Sequence, residues 1–130
     1  MGRALVRYMK RKGDHLVLFS RNLDRYKGEA SLAHIPMLPW PPDEKGLADW
    51  GDLDAVVNLA GETINQRWTK RAKERILTSR VETTRQVVSL INRGRLRTKT
   101  LINASAVGYY GPSPAGPLTE DAPGGPGHDF

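Results

Sequence analysis

The chain has 130 residues, of which 38% are hydrophobic, and this length suffices for one domain with a real core. It contains no cysteine, which excludes disulfide bonds and thiolate catalysis and is typical of a reducing compartment. Because no apolar run could cross a bilayer and charged residues interrupt the start too early for a signal peptide, we expect a soluble cytoplasmic protein.

The net charge of +6 is unevenly distributed. Residues 1–27 hold eight Lys and Arg against two acids, residues 66–99 hold eleven against two, and residues 100–130 hold three acids and no Lys or Arg. The two basic blocks are compatible with a polyanionic partner such as nucleic acid. We favour solvated helix faces instead, because no nucleic-acid reader motif accompanies the second block.

Residues 1–23 are predicted to form a helix and a strand. The helix spans Gly2 to Gly13, a natural left-handed end, and the apolar run from His15 to Ser20 follows as a strand. This order is the second half of a βαβ unit. The strand and the Gly-rich turn of the first half are missing, and Gly2 stands where the last glycine of that turn would let helix and strand pack closely.

The residue after this strand bears on cofactor choice. In dinucleotide-binding folds an acid here binds the adenosine ribose of NAD, whereas an Arg accommodates the 2′-phosphate of NADP. The chain has Arg21, with Arg25 and Lys27 close behind. The pattern favours NADP, and a merely solvent-facing Arg21 is the alternative.

Residues 24–53 are predicted to be irregular, with at most a short edge strand and a reduced helix, because four prolines interrupt them: Pro36, Pro39, Pro41 and Pro42. The next run, Asp54–Glu62, is typical of a buried parallel strand. It ends in Asn58-Leu59-Ala60-Gly61, whose small residues permit a ligand or another backbone to approach closely. In open α/β sheets, ligands bind just outside such carboxyl ends.

A basic amphipathic segment, Gln66–Arg93, predicts one long helix or two helices with a break near the middle. Arg80 falls on or near its apolar side, where a guanidinium group needs a carboxylate or a phosphate. A structural pair with Glu82 or Glu62 and a contact with a ligand both remain open.

Residues 54–111 are predicted to form a strand–helix–strand unit. The run Thr100–Ala106 is its second strand and ends with a hydroxyl, Ser105. Because βαβ geometry places the two strand ends together, we expect Asn58 and Ser105 to open onto one slot shaped for a nicotinamide nucleotide. A Ser that only completes a strand end is the alternative. Residues 112–130, rich in Gly and Pro, are predicted to be a long loop of low complexity or disorder.

Several strings of this sequence resemble one family. They are Asp54–Glu62, Trp68, Arg75–Thr84, Asn103–Gly111 and Leu118–Asp121. They are similar to the epimerase family 39U subgroup of atypical extended short-chain dehydrogenase/reductases, which are NAD-dependent epimerase/dehydratase-like proteins. The likeness covers most of the chain and is weakest over residues 24–51. Its most specific strings are Ser-Arg-Val-Glu-Thr-Thr and Ser-Ala-Val-Gly-Tyr-Tyr-Gly.

The resemblance implies an α/β fold, a Rossmann-like parallel sheet with flanking helices, which is incomplete because the first strand and the C-terminal part are missing. Residues 1–130 would then be a partial NAD(P)-binding domain. The implied cofactor is NADP or NAD, and the implied cofactor-binding residues are Gly2, Arg21, Asn58, Leu59, Ala60, Gly61, Ala104 and Ser105.

For catalysis, the resemblance implies that Ser105 hydrogen-bonds a hydroxyl or carbonyl group of the substrate. The wider superfamily uses a Tyr as general acid and base, and a nearby Lys lowers the pKa of that Tyr. No Lys or Arg follows Lys99 in this chain, so no Tyr-x-x-x-Lys pair occurs after Ser105. Enzyme activity is therefore left open, and no metal site is predicted.

Taken together, the sequence predicts the nucleotide-binding half of an NADP(H)-dependent oxidoreductase or epimerase-like protein that acts on an unknown small molecule. The chain by itself is expected to be inactive and to bind cofactor weakly or not at all, because its phosphate-binding turn is incomplete. One alternative is a non-catalytic interaction fragment that takes a partner strand into its sheet. The other is a basic module that binds polyanions. A homodimer is compatible with each, and no membrane partner is expected.

Overall fold

A computed structural model describes residues 1–43, 47, 52–105, 107–111 and 116–125. In chain order, its helices and strands are α1 (Gly2–Lys12), β1 (Leu18–Ser20), β2 (Met37–Pro39), β3 (Asp52–Asn58), α2 (Lys70–Asn92) and β4 (Arg97–Asn103). Short 3₁₀ turns lie at Asp24–Tyr26, Ala30–Leu32 and Val107–Tyr110. Among these residues, no helix is both long and apolar enough to cross a membrane.

The described strands pair in parallel and form two separate two-stranded sheets. β1 pairs with β2, where Leu18 lies opposite Met37. β3 pairs with β4, where Asn58 lies opposite Asn103. Parallel pairing, with the helix α2 as the crossover between β3 and β4, confirms the predicted α/β class. Within the described residues no strand joins β1 to β3, so the Rossmann-like sheet is present as two halves.

α1 ends as its sequence predicts. Gly13 has a φ of 84°, the left-handed conformation that Gly adopts without a steric penalty. The amides of Gly13 and Asp14 donate to the carbonyls of Lys10 and Met9, both at 3.2 Å. These bonds satisfy the last turn of the helix. No side chain of α1 is buried.

β1 is shorter than predicted and begins at Leu18 instead of His15, because its neighbour β2 has only three residues. The Leu18 amide donates to the Pro36 carbonyl at 2.9 Å and opens the ladder. At the other end of the ladder, the Trp40 amide donates to the Ser20 carbonyl at 3.0 Å. Residues 24–43 thus contain the short strand predicted for this region, together with two 3₁₀ turns.

α2 is one unbroken helix of 23 residues. It begins at Lys70 instead of at Gln66, the predicted start. The cause is Thr69, whose side-chain oxygen accepts the Ala72 amide at 3.2 Å and caps the helix. The residues before Thr69 form a loop that side chains of α2 hold in place.

β4 begins and ends earlier than predicted, at Arg97 and Asn103. The turn out of α2 is tight, because the amides of Arg95 and Leu96 both donate to the Leu90 carbonyl, at 2.9 and 3.1 Å. Leu96 is buried, and strand pairing starts at the next residue. Ala106, the predicted end of this strand, lies outside the described residues. Residues 116–125 contain no helix or strand, and the rest of the predicted loop 112–130 also lies outside the described residues.

The core is small and is formed by α2 and the strands. Its buried cluster is Leu47, Val87 and Leu96, and the side chains packed against it are Phe19, Trp40, Leu53, Val56, Leu90, Ile91 and Leu101. Phe19 comes from β1 and Val56 from β3, so both sheets contact one cluster although they are not joined. Trp40 packs edge to face on Phe19, with ring centroids 5.9 Å apart, and its Nε1 donates to Gln86 Oε1 at 3.0 Å.

Candidate functional site

The candidate site lies at the carboxyl ends of β3 and β4. The ladder closes with Asn58 opposite Asn103, and just beyond it the Asn58 carbonyl accepts the Ala104 amide at 2.9 Å. The two strand ends are therefore adjacent, as their sequences predict. Leu59–Gly61 and Ala104–Ser105 leave the sheet at this edge, and all of these residues are exposed.

Asn58 is buried at 8% exposure and its side chain is used inside the protein. Its Nδ2 donates to Asn103 Oδ1 at 2.7 Å and to Thr84 Oγ1 at 3.3 Å. Its Oδ1 accepts the Ala60 amide at 3.2 Å. Thr84 Oγ1 also donates to Asn103 Oδ1 at 3.2 Å. Asn58 therefore aligns β3, β4 and α2 and shapes the turn that follows β3, while its own amide group faces away from solvent.

Asn103 belongs to this network, although sequence analysis did not assign it a role. Its Oδ1 accepts from Asn58 and Thr84, and its Nδ2 donates to the Ala104 carbonyl at 3.2 Å. Its position could have indicated this role, because Asn103 ends the second strand and lies opposite Asn58, which ends the first. Two amide side chains at paired strand ends can satisfy each other as donor and acceptor.

The start of α1 lies next to the turn after β3. A side-chain carbon added at Gly2 would lie 3.9 Å from Leu59 Cδ1. The amides of Ala4 and Leu5 both donate to the Met1 carbonyl, at 3.0 and 3.2 Å, which closes the first helical turn. A helix N-terminus carries a partial positive charge from its unpaired amides. That charge faces the same edge as the exposed turn.

Arg21 lies just after β1, and its side chain is exposed and has no ion pair within the described residues. The residues around it form a tight turn. The Asn22 amide donates to Ser20 Oγ, and Asn22 Oδ1 accepts the Arg25 amide, both at 3.2 Å. Lys27 pairs with Asp24 at 2.5 Å. Of the three basic residues predicted to favour NADP, Lys27 forms this ion pair, whereas Arg21 and Arg25 are exposed and have no ion pair within the described residues.

Ser105 is exposed, and in the described part of the chain its hydroxyl has no hydrogen-bond partner. Two aromatic residues follow it in a 3₁₀ turn, Tyr109 and Tyr110, whose rings pack edge to face with centroids 5.0 Å apart. The Tyr109 carbonyl accepts the Gly125 amide at 2.9 Å, so the tail folds back over this turn. A free hydroxyl beside the strand ends is available to a ligand.

Arg80 binds main-chain carbonyls, which the sequence did not indicate. Its Nη1 donates to the Glu62 carbonyl at 3.0 Å and to the Ile76 carbonyl at 3.1 Å. Of its two predicted structural partners, Glu62 is the one it contacts, through the backbone, whereas Glu82 pairs with Arg85 at 2.8 Å. Arg80 thus supports the turn after β3.

Comparison with known proteins gives the family. The chain matches the model of the NAD dependent epimerase/dehydratase family over residues 1–129. It belongs to this family. Its epimerase/dehydratase relatives include the epimerase family protein YfhF of Bacillus subtilis, 38% identical over 125 residues, which cover 94% of this chain and 39% of that protein. An epimerase family protein of Staphylococcus haemolyticus is 35% identical over 113 residues, 87% of this chain and 36% of the relative.

A solved structure within the same family confirms the fold and the resemblance to the 39U subgroup. The crystal structure of human epimerase family protein SDR39U1 (isoform 2) with NADPH matches with a TM-score of 0.68 and 31% identity. The match covers 95% of this chain and 39% of the human chain. The chain therefore spans about two fifths of the length of these epimerase/dehydratase relatives.

Proposed function

We propose that this chain is the nucleotide-binding part of an NADP(H)-dependent oxidoreductase or epimerase-like protein of the cytoplasm. The observation that carries the proposal is the position of the α1 N-terminus beside the turn after β3, where Gly2 lies next to Leu59, and β3 itself ends paired with β4. In open α/β sheets, dinucleotides bind at this edge with the pyrophosphate at a helix N-terminus. The family and the NADPH in the human relative support the same cofactor class.

Each exposed part of the site would hold a different part of the cofactor. The amides at the start of α1, around Gly2, would bind the pyrophosphate. The unpaired guanidinium group of Arg21 would bind the 2′-phosphate, which favours NADP over NAD. The small, exposed residues Ala60, Gly61 and Ala104 leave room for the flat nucleotide. When bound, the nicotinamide supplies or accepts the hydride.

Ser105 would hold the substrate beside the cofactor. Its hydroxyl is free to donate a hydrogen bond to a carbonyl or accept one from a hydroxyl group of a small molecule. Tyr109 and Tyr110 pack on each other, and residues 100–130 contain no Lys that could form a Tyr-x-x-x-Lys pair with either one. We therefore assign binding and orientation to this chain and no proton transfer, so that the chain alone is inactive.

Cofactor binding by this chain alone should be weak. Arg21 follows β1 and the Leu59–Gly61 turn follows β3, and these strands belong to separate sheets. A dinucleotide that contacts both must hold the long, exposed side chain of Arg21 in one conformation. The side-chain entropy lost in that ordering reduces the affinity.

Titration with NADPH, followed by its fluorescence, tests the proposal. We expect saturable binding with a Kd between about 10 μM and 1 mM, which corresponds to about 4 to 7 kcal/mol. NADH should bind more weakly, since it lacks the 2′-phosphate. A flat titration up to millimolar NADPH would overturn the proposal that this chain by itself holds the cofactor. Salt-dependent binding of a DNA duplex in its place would favour the basic-module alternative.

A further inference from the structure

We propose that Ser79 and Arg80 of α2 are positioning residues that hold the turn after β3 in the shape that receives the cofactor. This inference rests on the proposed function and names the residues that act on the cofactor through the turn. The turn consists of residues 58–62, and both side chains reach it from the helix that follows.

The two side chains bind both backbone groups of one turn residue, Glu62. Its amide donates to Ser79 Oγ at 2.8 Å, and its carbonyl accepts from Arg80 Nη1 at 3.0 Å. Together, the two bonds satisfy both backbone hydrogen-bonding groups of Glu62. The peptide planes on either side of Glu62 therefore cannot rotate without breaking one of these two bonds.

The same two side chains are tied to a buried turn of α2. The Ser79 hydroxyl donates to the Ile76 carbonyl at 3.0 Å, and Arg80 Nη1 donates to the same carbonyl at 3.1 Å. The side chain of Ile76 is only 2% exposed. Ser79 thus uses its hydroxyl as donor and acceptor at once, which fixes its rotamer. Ser79 and Arg80 thus form a clamp that holds the loop in a fixed position relative to a buried turn of the helix.

Arg80 also lies along the backbone of Gly61. A carbon in the Cβ position of Gly61 would lie 3.0 Å from Arg80 Cζ and 3.2 Å from Arg80 Cγ and Nη1. The absence of a side chain at Gly61 is thus what lets the guanidinium group reach the Glu62 carbonyl. At the other end of the turn, the Ala60 amide is held by Asn58 Oδ1 at 3.2 Å.

The turn is therefore fixed at both ends, while the residues between, Leu59 to Gly61, are exposed. A binding surface that is already ordered avoids the entropy cost of ordering on association. Arg80 would contribute in this way through its Nη1, which donates to two carbonyls. A direct contact between a phosphate and its other N–H groups is the competing role. A positioning residue orders the turn even when no cofactor is bound, whereas a direct ligand of the phosphates leaves the turn of the free protein unchanged.

The test combines amide hydrogen exchange at Glu62 with the Kd for NADPH. We expect Ser79→Ala to speed exchange of the Glu62 amide by about tenfold and to weaken NADPH binding by a similar factor. Ser79→Thr, which keeps the hydroxyl, should restore both values. Arg80→Ala should weaken NADPH binding and also speed exchange at Glu62. Arg85→Ala is the matched control, since Arg85 is exposed on the same helix and pairs with Glu82, and it should change neither.

Three results would overturn the inference. Unchanged exchange at Glu62 in Ser79→Ala would show that the turn is not clamped. Faster exchange with an unchanged Kd would show that the shape of the turn is irrelevant to the cofactor. A weaker Kd in Arg80→Ala with normal exchange would make Arg80 a direct ligand. If the unaltered chain fails to bind NADPH, the proposed function fails first, and the cofactor role of the clamp falls with it.

Discussion

At the scale of single residues, cofactor choice depends on Arg21. Its side chain is exposed and lacks an ion pair within the described residues, so its charge is available to the 2′-phosphate. We expect Arg21→Ala to weaken NADPH binding by about tenfold, since a charge-assisted hydrogen bond contributes about 1.5–3 kcal/mol, and to leave NADH binding unchanged. Parallel titrations with both nucleotides measure this. Arg11→Ala, an exposed Arg near the end of α1, is the control, and an equal loss for NADPH and NADH would contradict the assignment.

Asn58 is the residue whose loss should affect stability most directly. Asn58→Ala leaves the Ala60 amide without its acceptor and removes the donor to Asn103. We expect a decrease of about 1 kcal/mol in the free energy of unfolding for the hydrogen bonds lost, since Ala60 and Asn103 are exposed and water can replace the missing partner. Urea unfolding followed by circular dichroism measures it. Asn65→Ala, at an exposed position in the next loop, should stay within about 0.5 kcal/mol of the unaltered chain.

At the scale of elements, the cap at the start of α2 has a measurable role. Thr69 Oγ1 accepts the Ala72 amide at 3.2 Å, so Thr69→Ala should lower the free energy of unfolding by about 1 kcal/mol. Thr78→Ala, at an exposed position inside the same helix, should have no such cost, because Ala has the higher helix propensity. Thermal unfolding of the two variants compares them. Equal destabilisation would show that Thr69 does not cap the helix.

Periodicity and composition located α1, α2 and β3 because those signals are local. The end of α1 at Gly13 could be predicted because the left-handed conformation belongs to the residue itself. The predicted start of α2 at Gln66 was wrong because Thr69 caps the helix just before Lys70. The shape of the loop before Thr69 could not be predicted, because contacts between distant residues hold it. Glu62 and Ser79 lie 17 positions apart, and no spacing rule connects them. The adjacency of the strand ends could be predicted from βαβ topology. The inward direction of the Asn58 side chain could not be predicted from the sequence.

For the whole molecule, the uneven distribution of buried side chains predicts uneven stability. α1 has no buried side chain, whereas α2 buries Ala72, Ile76 and Val87. We therefore expect the amides of α1 to exchange with solvent through local opening, and those of α2 near Ile76 only through global unfolding. Hydrogen exchange across the chain measures this. Equal protection of the two helices would contradict a structure in which α1 contributes little to the core.

The division of the strands into two pairs also bears on solubility. Within the described residues β3 is paired only with β4, so its other side offers free amides and carbonyls to any extended peptide. Asp52 and Asp54 on this strand have exposed carboxylates, and such charges disfavour the stacking of strands into fibrils. Added salt screens charge repulsion between molecules of net charge +6. Concentrated solutions should consequently scatter more light as ionic strength rises.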